Sequence, residues 1–279
     1  MAQITRQEVE MAVRQSRPLK GRDLRELDLE DSSLQGAVLE RCDLSRARLT
    51  GARLDGAILL DCVFDHTAMN EVTLRESMIK GGSMVNCDMR EAVMIETTLS
   101  QVTLHKVLLG SANLFHAFLT EVKATLCDFS GAVLDRAKLT DCEFVLCHLD
   151  DISGAFLHAT RTDFTGSSLA AAQLDRAVLP GANFSMTNLR GASLRGCPMN
   201  QANFFLSDLR GAVFTKSNME GCRLEGVQAE GALFNGANLQ TARLCEGDFT
   251  AVRFDGSLLT GAKMENAVFD GASFEGVAR

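Results

Sequence analysis

The sequence predicts an all-β solenoid of stacked coils with a short helical cap at its start. Three observations predict it. Every fifth residue from Leu19 to Phe274 belongs to one series, and 48 of those 52 positions are Leu, Phe, Met or Ile. Of the 23 glycines, 19 fall two residues after a member of that series, among them Gly51, Gly131, Gly191 and Gly271. The remaining positions are small or polar in fixed phase. A strict short period over most of a chain marks a repeat architecture, in which each unit buries its apolar face only against its neighbours.

The elements follow in order. Thr5-Arg6-Gln7-Glu8 reads as a capping box, with Ile4 and Val9 spaced as a hydrophobic staple, so a helix is expected over roughly residues 6–15. Residues 1–17 form the cap and residues 18–279 the repeat domain. Within the repeat, call the large apolar residue i. Position i−2 is mostly Ala, Cys, Ser, Thr or Val and is expected to face inward beside i. Position i+2 is the glycine position, where a turn with positive φ is expected after each short extended piece. Positions i−1 and i+1 carry Asp, Asn, Arg, Lys, Thr and Ser, which suit water.

The exceptions support the assignment. Ala124, Gly154, Ala159 and Ala229 interrupt the series, and their i−2 partners are Val122, Ile152, Leu157 and Val227. A small i beside a large i−2 roughly conserves core volume, the kind of exchange that packed interiors tolerate best. Whether the stretch 152–159 bulges from the helix is left open by the sequence.

The unit resembles that of the pentapeptide-repeat family, A(D/N)LXX. It stands here as Ala112-Asn113-Leu114, Cys127-Asp128-Phe129, Ala182-Asn183-Phe184, Ala202-Asn203-Phe204 and Ala237-Asn238-Leu239. The resemblance covers roughly residues 18–276. It implies a right-handed quadrilateral β-helix with four pentapeptides to each coil and about 13 coils. The phenylalanines agree: of the twelve at i, seven pairs are 20 apart, against three at 15 and one at 25. Stacks are expected through Phe144, Phe164, Phe184 and Phe204, and through Phe214, Phe234, Phe254 and Phe274.

Composition narrows the setting. No signal peptide opens the chain and no run of 18 apolar residues occurs, so a cytoplasmic, bacterial protein is expected, with signal-independent export left open. Eight of nine cysteines sit at i−2 and read as reduced core residues. Cys42/Cys62 and Cys127/Cys147 lie one coil apart, but stacked side chains that point the same way fit a disulfide poorly. Cys245, at i+1, is the thiol expected to be accessible. The repeats run to Gly276 with no second cap, so the last coil should present unpaired backbone groups, and a homodimer through the C-terminal coils is predicted.

No chemistry is legible. The five histidines have no cysteine or carboxylate at metal-ligand spacing, and neither a phosphate-binding loop nor a nucleophile elbow occurs. No cofactor, metal or catalytic residue is implied, and an uninterrupted coil stack offers no concave pocket. A non-enzyme without direct nucleic-acid binding or a membrane span is expected.

Function must therefore lie on the surface, and folding the sequence at four pentapeptides per coil exposes two features. The face of Leu29, Leu49 and Met69 carries 13 acids and 4 bases at its outward positions, most of the net charge of −8. Contributors are Asp28, Glu30, Asp31, Asp88, Glu91, Asp128, Asp150, Asp151, Asp208, Asp248 and Asp270. Such a strip attracts a basic partner, including one that grips DNA. The face of Leu24, Leu44 and Phe64 instead places Leu126, Val145, Leu146, Met186, Phe205 and Leu206 where polar residues belong. A smaller apolar set is Phe115, Phe118 and Phe156. Contiguous exposed apolar surface marks an interaction site. Leu126 and Leu146 also read as folding back over the corner.

The function expected is a protein–protein interaction scaffold or adaptor that binds a protein partner through the apolar strip and the acidic face. Two alternatives follow from the resemblance. Family members that confer quinolone resistance imitate DNA and bind DNA gyrase or topoisomerase IV, but they usually carry a C-terminal dimerising helix and often loops, which this sequence lacks. Others accompany type VI or type III secretion as accessory proteins or effectors.

Overall fold

The structure, a computed structural model, describes residues 4–278. The sequence expectations at residues 1–3 and 279, the ends of the cap and of the repeat, lie outside the described residues. The chain divides into two compact units, Met1–Lys138 and Leu139–Arg279.

In the first unit, α1 spans Arg6–Arg14. Its capping box is formed: the Thr5 hydroxyl accepts from Glu8 N–H at 3.3 Å, and the Glu8 carboxylate accepts from Thr5 N–H at 2.8 Å. Val9 and Ala12 are buried beneath it. Nine short strands follow: β1 Leu19–Lys20, β2 Val38–Glu40, β3 Ile58–Leu60, β4 Met78–Lys80, β5 Ser83–Val85, β6 Thr98–Ser100, β7 Thr103–His105, β8 Phe118–Thr120 and β9 Lys123–Thr125.

All pairing is parallel, and each residue meets the one numbered 20 higher. Leu19 meets Leu39, Leu39 meets Leu59, Leu59 meets Ile79, Ile79 meets Leu99 and Leu99 meets Leu119. A second ladder runs Met84, Leu104, Ala124 through β5, β7 and β9. Elsewhere each side of a coil contributes a single bridge, such as Asp28 to Arg48 or Ser33 to Arg53. The ladder from Leu19 to Leu119 makes about six turns in the first unit, and the coil count differs in detail from the expected 13.

The second unit opens on a short strand at Glu143–Val145 and otherwise repeats the pattern through single bridges, among them His148 to Ser168 and Leu258 to Ala278. The backbone N–H at i donates to a carbonyl of the next coil, as in Leu149 to Ser168 at 2.7 Å and Phe184 to Asn203 at 2.7 Å. Such main-chain bonds between coils satisfy the polar backbone that burial would otherwise leave unpaired.

The core is built from i and i−2. Ala124, Ala159 and Ala229 are buried together with Val122, Ile152, Leu157 and Val227, so the volume exchange read from sequence is real. The stretch 152–159 keeps the bridging register of its neighbours, with Ser153 to Gln173 and His158 to Val178. In the second unit the phenylalanine stacks form: Phe164–Phe184 and Phe184–Phe204 have centroids 5.1 Å apart, and Phe214–Phe234 4.9 Å. The choice of Ser, Thr or Cys at i−2 also has a reason beyond size. Thr67 Oγ1 donates to Leu44 O at 2.9 Å, and Ser167 Oγ donates to Phe144 O at 2.7 Å. Cys197 Sγ reaches Leu174 O at 3.0 Å in the same way. A small donor there stitches each coil to the one before it.

Corners take positive φ throughout. Glycines such as Gly51 (φ +64°) fit at no steric cost. Many corners carry other residues, however, including Asp31, Glu91, Leu146 and Phe156 at φ between 53° and 59°. In the last coil Met264, Phe269 and Phe274 are only half-buried, whereas Leu244, Phe249 and Phe254 one coil earlier are fully enclosed. A cavity of about 410 Å³ lies there against Leu259 and Gly261.

Candidate functional site

The apolar strip expected from sequence resolves into a row of corner residues. In the second unit Leu146, Met186 and Leu206 are 52%, 58% and 52% exposed at φ 55°, 55° and 57°. Leu126, in the first unit, has the same character. For a bulky L-residue the left-handed region is a true outlier, costing on the order of 1 kcal/mol or more. These side chains are thus held at corners where glycine would be easier, and they face water.

The leucines do not stand straight out. A Cβ built at Gly166 would lie 2.8 Å from Leu146 Cδ2, and one at Gly226 would lie 2.7 Å from Leu206 Cδ2. Each leucine leans over the bare corner of the next coil. Val145 and Phe205, at i+1, are half-buried. The Phe205 ring meets the Arg223 guanidinium at 5.5 Å, and Arg223 and Arg243 both pair with Glu225, at 3.5 and 2.6 Å. The row therefore ends against an ionic cluster.

The smaller aromatic set is distributed over both units. Phe118, in the first, lies under Lys138 Nζ at 5.4 Å, and half-buried Phe115 packs on the His116 ring at 4.8 Å. Phe156, in the second, lies under the Arg176 guanidinium at 5.6 Å.

The acidic face is largely occupied with its own neighbours. Asp28 and Glu30 face Arg48 at 3.4 and 2.6 Å. Asp88 binds Arg90 at 2.6 Å, and Asp208 binds Arg210. The arginine hydrogen bonds hold both aspartates below the ordinary carboxylate range. Asp128 and Asp248 accept backbone N–H from Ser130 and Thr250 at 2.9 and 3.0 Å, and Asp150 accepts from Ala170 N–H at 2.8 Å. Among the described residues, Asp31, Glu91, Asp151 and Asp270 keep carboxylates without an ion-pair partner.

One feature departs from the sequence reading. A cleft of about 840 Å³ opens beside the first coils, where Ile4 overhangs Arg22, Arg25, Arg46 and His66. Ile4, at the start of the cap, closes one side of it. Its charges are mostly self-paired: Asp23 holds Arg25 at 2.6 Å and Asp43 accepts Ser45 N–H at 2.9 Å. Among the described residues no three His, Cys, Asp or Glu side chains converge for a metal ion, and no helix is long and apolar enough to cross a membrane. All nine cysteines are thiols, and Cys245 Sγ donates to Glu265 Oε2 at 2.8 Å.

A second apolar column was missed. Ile58, Met78 and Phe118 stand in register on β3, β4 and β8, exposed on the first unit. The signal was present at i−1 once the sequence is folded coil on coil, but Thr98 and Lys138 in the same column mask it.

Parallel coils in a constant register, with an inward i and i−2 and left-handed corners, define a β-solenoid repeat protein. Residues 23–61, 111–151, 160–196, 192–226, 202–240, 222–261 and 248–278 match the family described as Pentapeptide repeats. The chain belongs to that family, and its fold is the family's right-handed β-helix. It is similar to HetL, a pentapeptide repeat protein involved in heterocyst differentiation regulation from the cyanobacterium Nostoc sp. Strain PCC 7120. That match has 22% identity and a TM-score of 0.45, and covers 98% of each chain. It is also similar to a trypsin-treated variant of QnrB1, a plasmid-mediated fluoroquinolone resistance protein, with 18% identity and a TM-score of 0.39 over 75% of this chain and 91% of that one. A pentapeptide repeat protein from the Arabidopsis thaliana thylakoid lumen shares 26% identity at a TM-score of 0.25, over 36% of this chain and 63% of that one. No curated protein matches the chain.

Proposed function

We propose that the chain is a non-enzymatic interaction scaffold that binds a protein partner through the corner row Val145, Leu146, Met186, Phe205 and Leu206 of the second unit. The observation that carries this reading is the cost of the row. Leu146, Met186 and Leu206 combine positive φ with wide exposure to water. Strained and solvated apolar residues at repeated positions are unfavourable in the isolated chain, and burial against a partner recovers about 25 cal/mol per Å² of apolar surface.

The scaffold reading ranks ahead of DNA imitation because four of the eleven acids named on that face, Asp28, Glu30, Asp88 and Asp208, are already neutralised by arginine and break the run of free charge. A mimic needs phosphate-like charge free for the partner. Secretion-associated accessory roles fit the same scaffold chemistry and differ only in the partner.

The test is affinity capture from the native host with wild type and Leu146→Gly/Leu206→Gly. Glycine suits those corners, so the fold should survive while the apolar row is removed. Loss of one specific partner supports the proposal and identifies that partner. Retention of every partner by a folded double variant rejects the row as the working surface.

A further inference from the structure

We propose that the outward column of the first unit's sheet, centred on Ile58, Met78 and Phe118, is a docking face for a basic amphipathic helix of another protein. This inference does not rest on the corner row of the second unit. The column is set by hydrogen-bonded register: Val38 meets Ile58, Ile58 meets Met78, Met78 meets Thr98 and Thr98 meets Phe118. Ile58, Met78 and Phe118 are 38%, 43% and 40% exposed, at positions that alternate with the buried i series, and Lys138 Nζ, 5.4 Å over the Phe118 ring, bounds the column at that end. Half-buried Ile95 and Phe115 widen the apolar ground on the far side of the adjoining corner.

Charge at that corner selects the partner. Glu76 and Glu96 occupy successive coils at φ 54° and 56°, between the column and Ile95. Neither has an ion-pair or hydrogen-bond partner for its side chain among the described residues. Two like charges one coil apart repel each other, since the strand spacing is only about 4.8 Å. A cationic partner relieves that repulsion while its apolar side covers the column.

Spacing selects a helix over a strand. Rungs recur about every 4.8 Å, and an α-helix lying along the column presents one turn about every 5.4 Å. Over the three rungs from Ile58 to Phe118, roughly 14 Å, the mismatch grows to only about 2 Å. That span is about three helical turns, which supply apolar anchors at i, i+3, i+4 and i+7. An extended peptide repeats a side-chain face about every 6.6 Å and falls out of phase within two rungs. Lysine or arginine one turn apart on the flank of the helix then meets Glu76 and Glu96.

The experiment titrates the full chain into a fluorescein-labelled, helix-forming peptide about four turns long, built from leucine and lysine in amphipathic order, and follows anisotropy. A leucine–glutamate peptide of the same order is the control. The expected result is saturable one-to-one binding of the basic peptide and none of the acidic one. Binding should fall at least tenfold in Ile58→Thr/Met78→Thr, and again in Glu76→Gln/Glu96→Gln. Leu146→Gly/Leu206→Gly should bind as wild type. Threonine keeps β propensity and the glutamate changes touch no core residue, so a thermal melt should show each variant folded. Absence of binding overturns the proposal, as does binding that both column and glutamate variants leave unchanged. Binding of several peptides per chain, or equal binding of the acidic peptide, overturns it too.

Discussion

Leu146 rests on the bare corner of the following coil, with its Cδ2 2.8 Å from the place a Cβ would occupy at Gly166. Leu206 and Gly226 repeat the relationship at 2.7 Å. Gly166 has φ +68°, so a substitution there meets both a strained backbone and the leucine. We expect Gly166→Ala to destabilise by about 1–2 kcal/mol, and Leu146→Gly to stay within about 1 kcal/mol of wild type. Urea midpoints of the two variants check this. A stability loss from Leu146→Gly larger than that from Gly166→Ala would mean the leucine belongs to the core.

Gly82 is constrained more severely. It follows Gly81 at φ +79°, and a Cβ there would overlap the carbonyl of Cys62, which is backbone and cannot swing away. Gly82→Ala should cost about 3 kcal/mol or more. Gly191 is the control: its φ of +65° is similar but nothing lies within 4 Å, so Gly191→Ala should cost only about 1 kcal/mol. Equal losses at the two sites would remove the argument from Cys62.

The thiols should be inert in the folded protein. Burial pushes Cys87, Cys197 and Cys222 up to about 12, and the bond to Glu265 raises Cys245; the hydrogen bond with Cys62 lowers Cys42 instead, and only its enclosure in the core keeps reagent away from it. A raised thiol holds little thiolate at pH 8, and thiolate is the reactive species. A colorimetric thiol assay at that pH should therefore modify Cys245 slowly and the others only after unfolding, when all nine react. Glu265→Gln should speed the Cys245 reaction. Several fast thiols in the native protein would contradict the burial.

Acid should weaken the fold in a defined window. The Arg25 side chain lowers Asp23 from 3.8 to about 2, and Asp88 and Asp208 are lowered by Arg90 and Arg210. Groups depressed on folding contribute stability above their unfolded values, and this is lost as pH falls through the folded ones. The melting temperature should stay flat from pH 7 to about pH 5 and drop between about pH 4 and pH 2. Arg90→Gln/Arg210→Gln should flatten that drop. An unchanged profile in the double variant would mean these ion pairs make no net contribution.

The half-buried Phe269 and Phe274 offer a test of self-association. Two copies joined through the last coil would give twice 30.2 kDa by light scattering at micromolar concentration. Phe269→Ser/Phe274→Ser should return the mass to one copy. A wild-type mass of a single chain under those conditions removes the homodimer.

Sequence alone determined the period, the inward pair i and i−2, the exchange of a small i for a large i−2 at Gly154 and Ile152, the capping box at Thr5 and the phenylalanine stacks. Each of these depends on a spacing that only one backbone repeat satisfies, so a string of residues is enough to fix it. Tertiary structure decided what the outward side chains do. It turned Asp88 and Asp208 toward Arg90 and Arg210, laid Leu146 over Gly166 and opened the cleft beneath Ile4. Those outcomes depend on rotamers and on contacts between adjacent coils. The period states which residues are neighbours there, but not which of the available partners each side chain chooses.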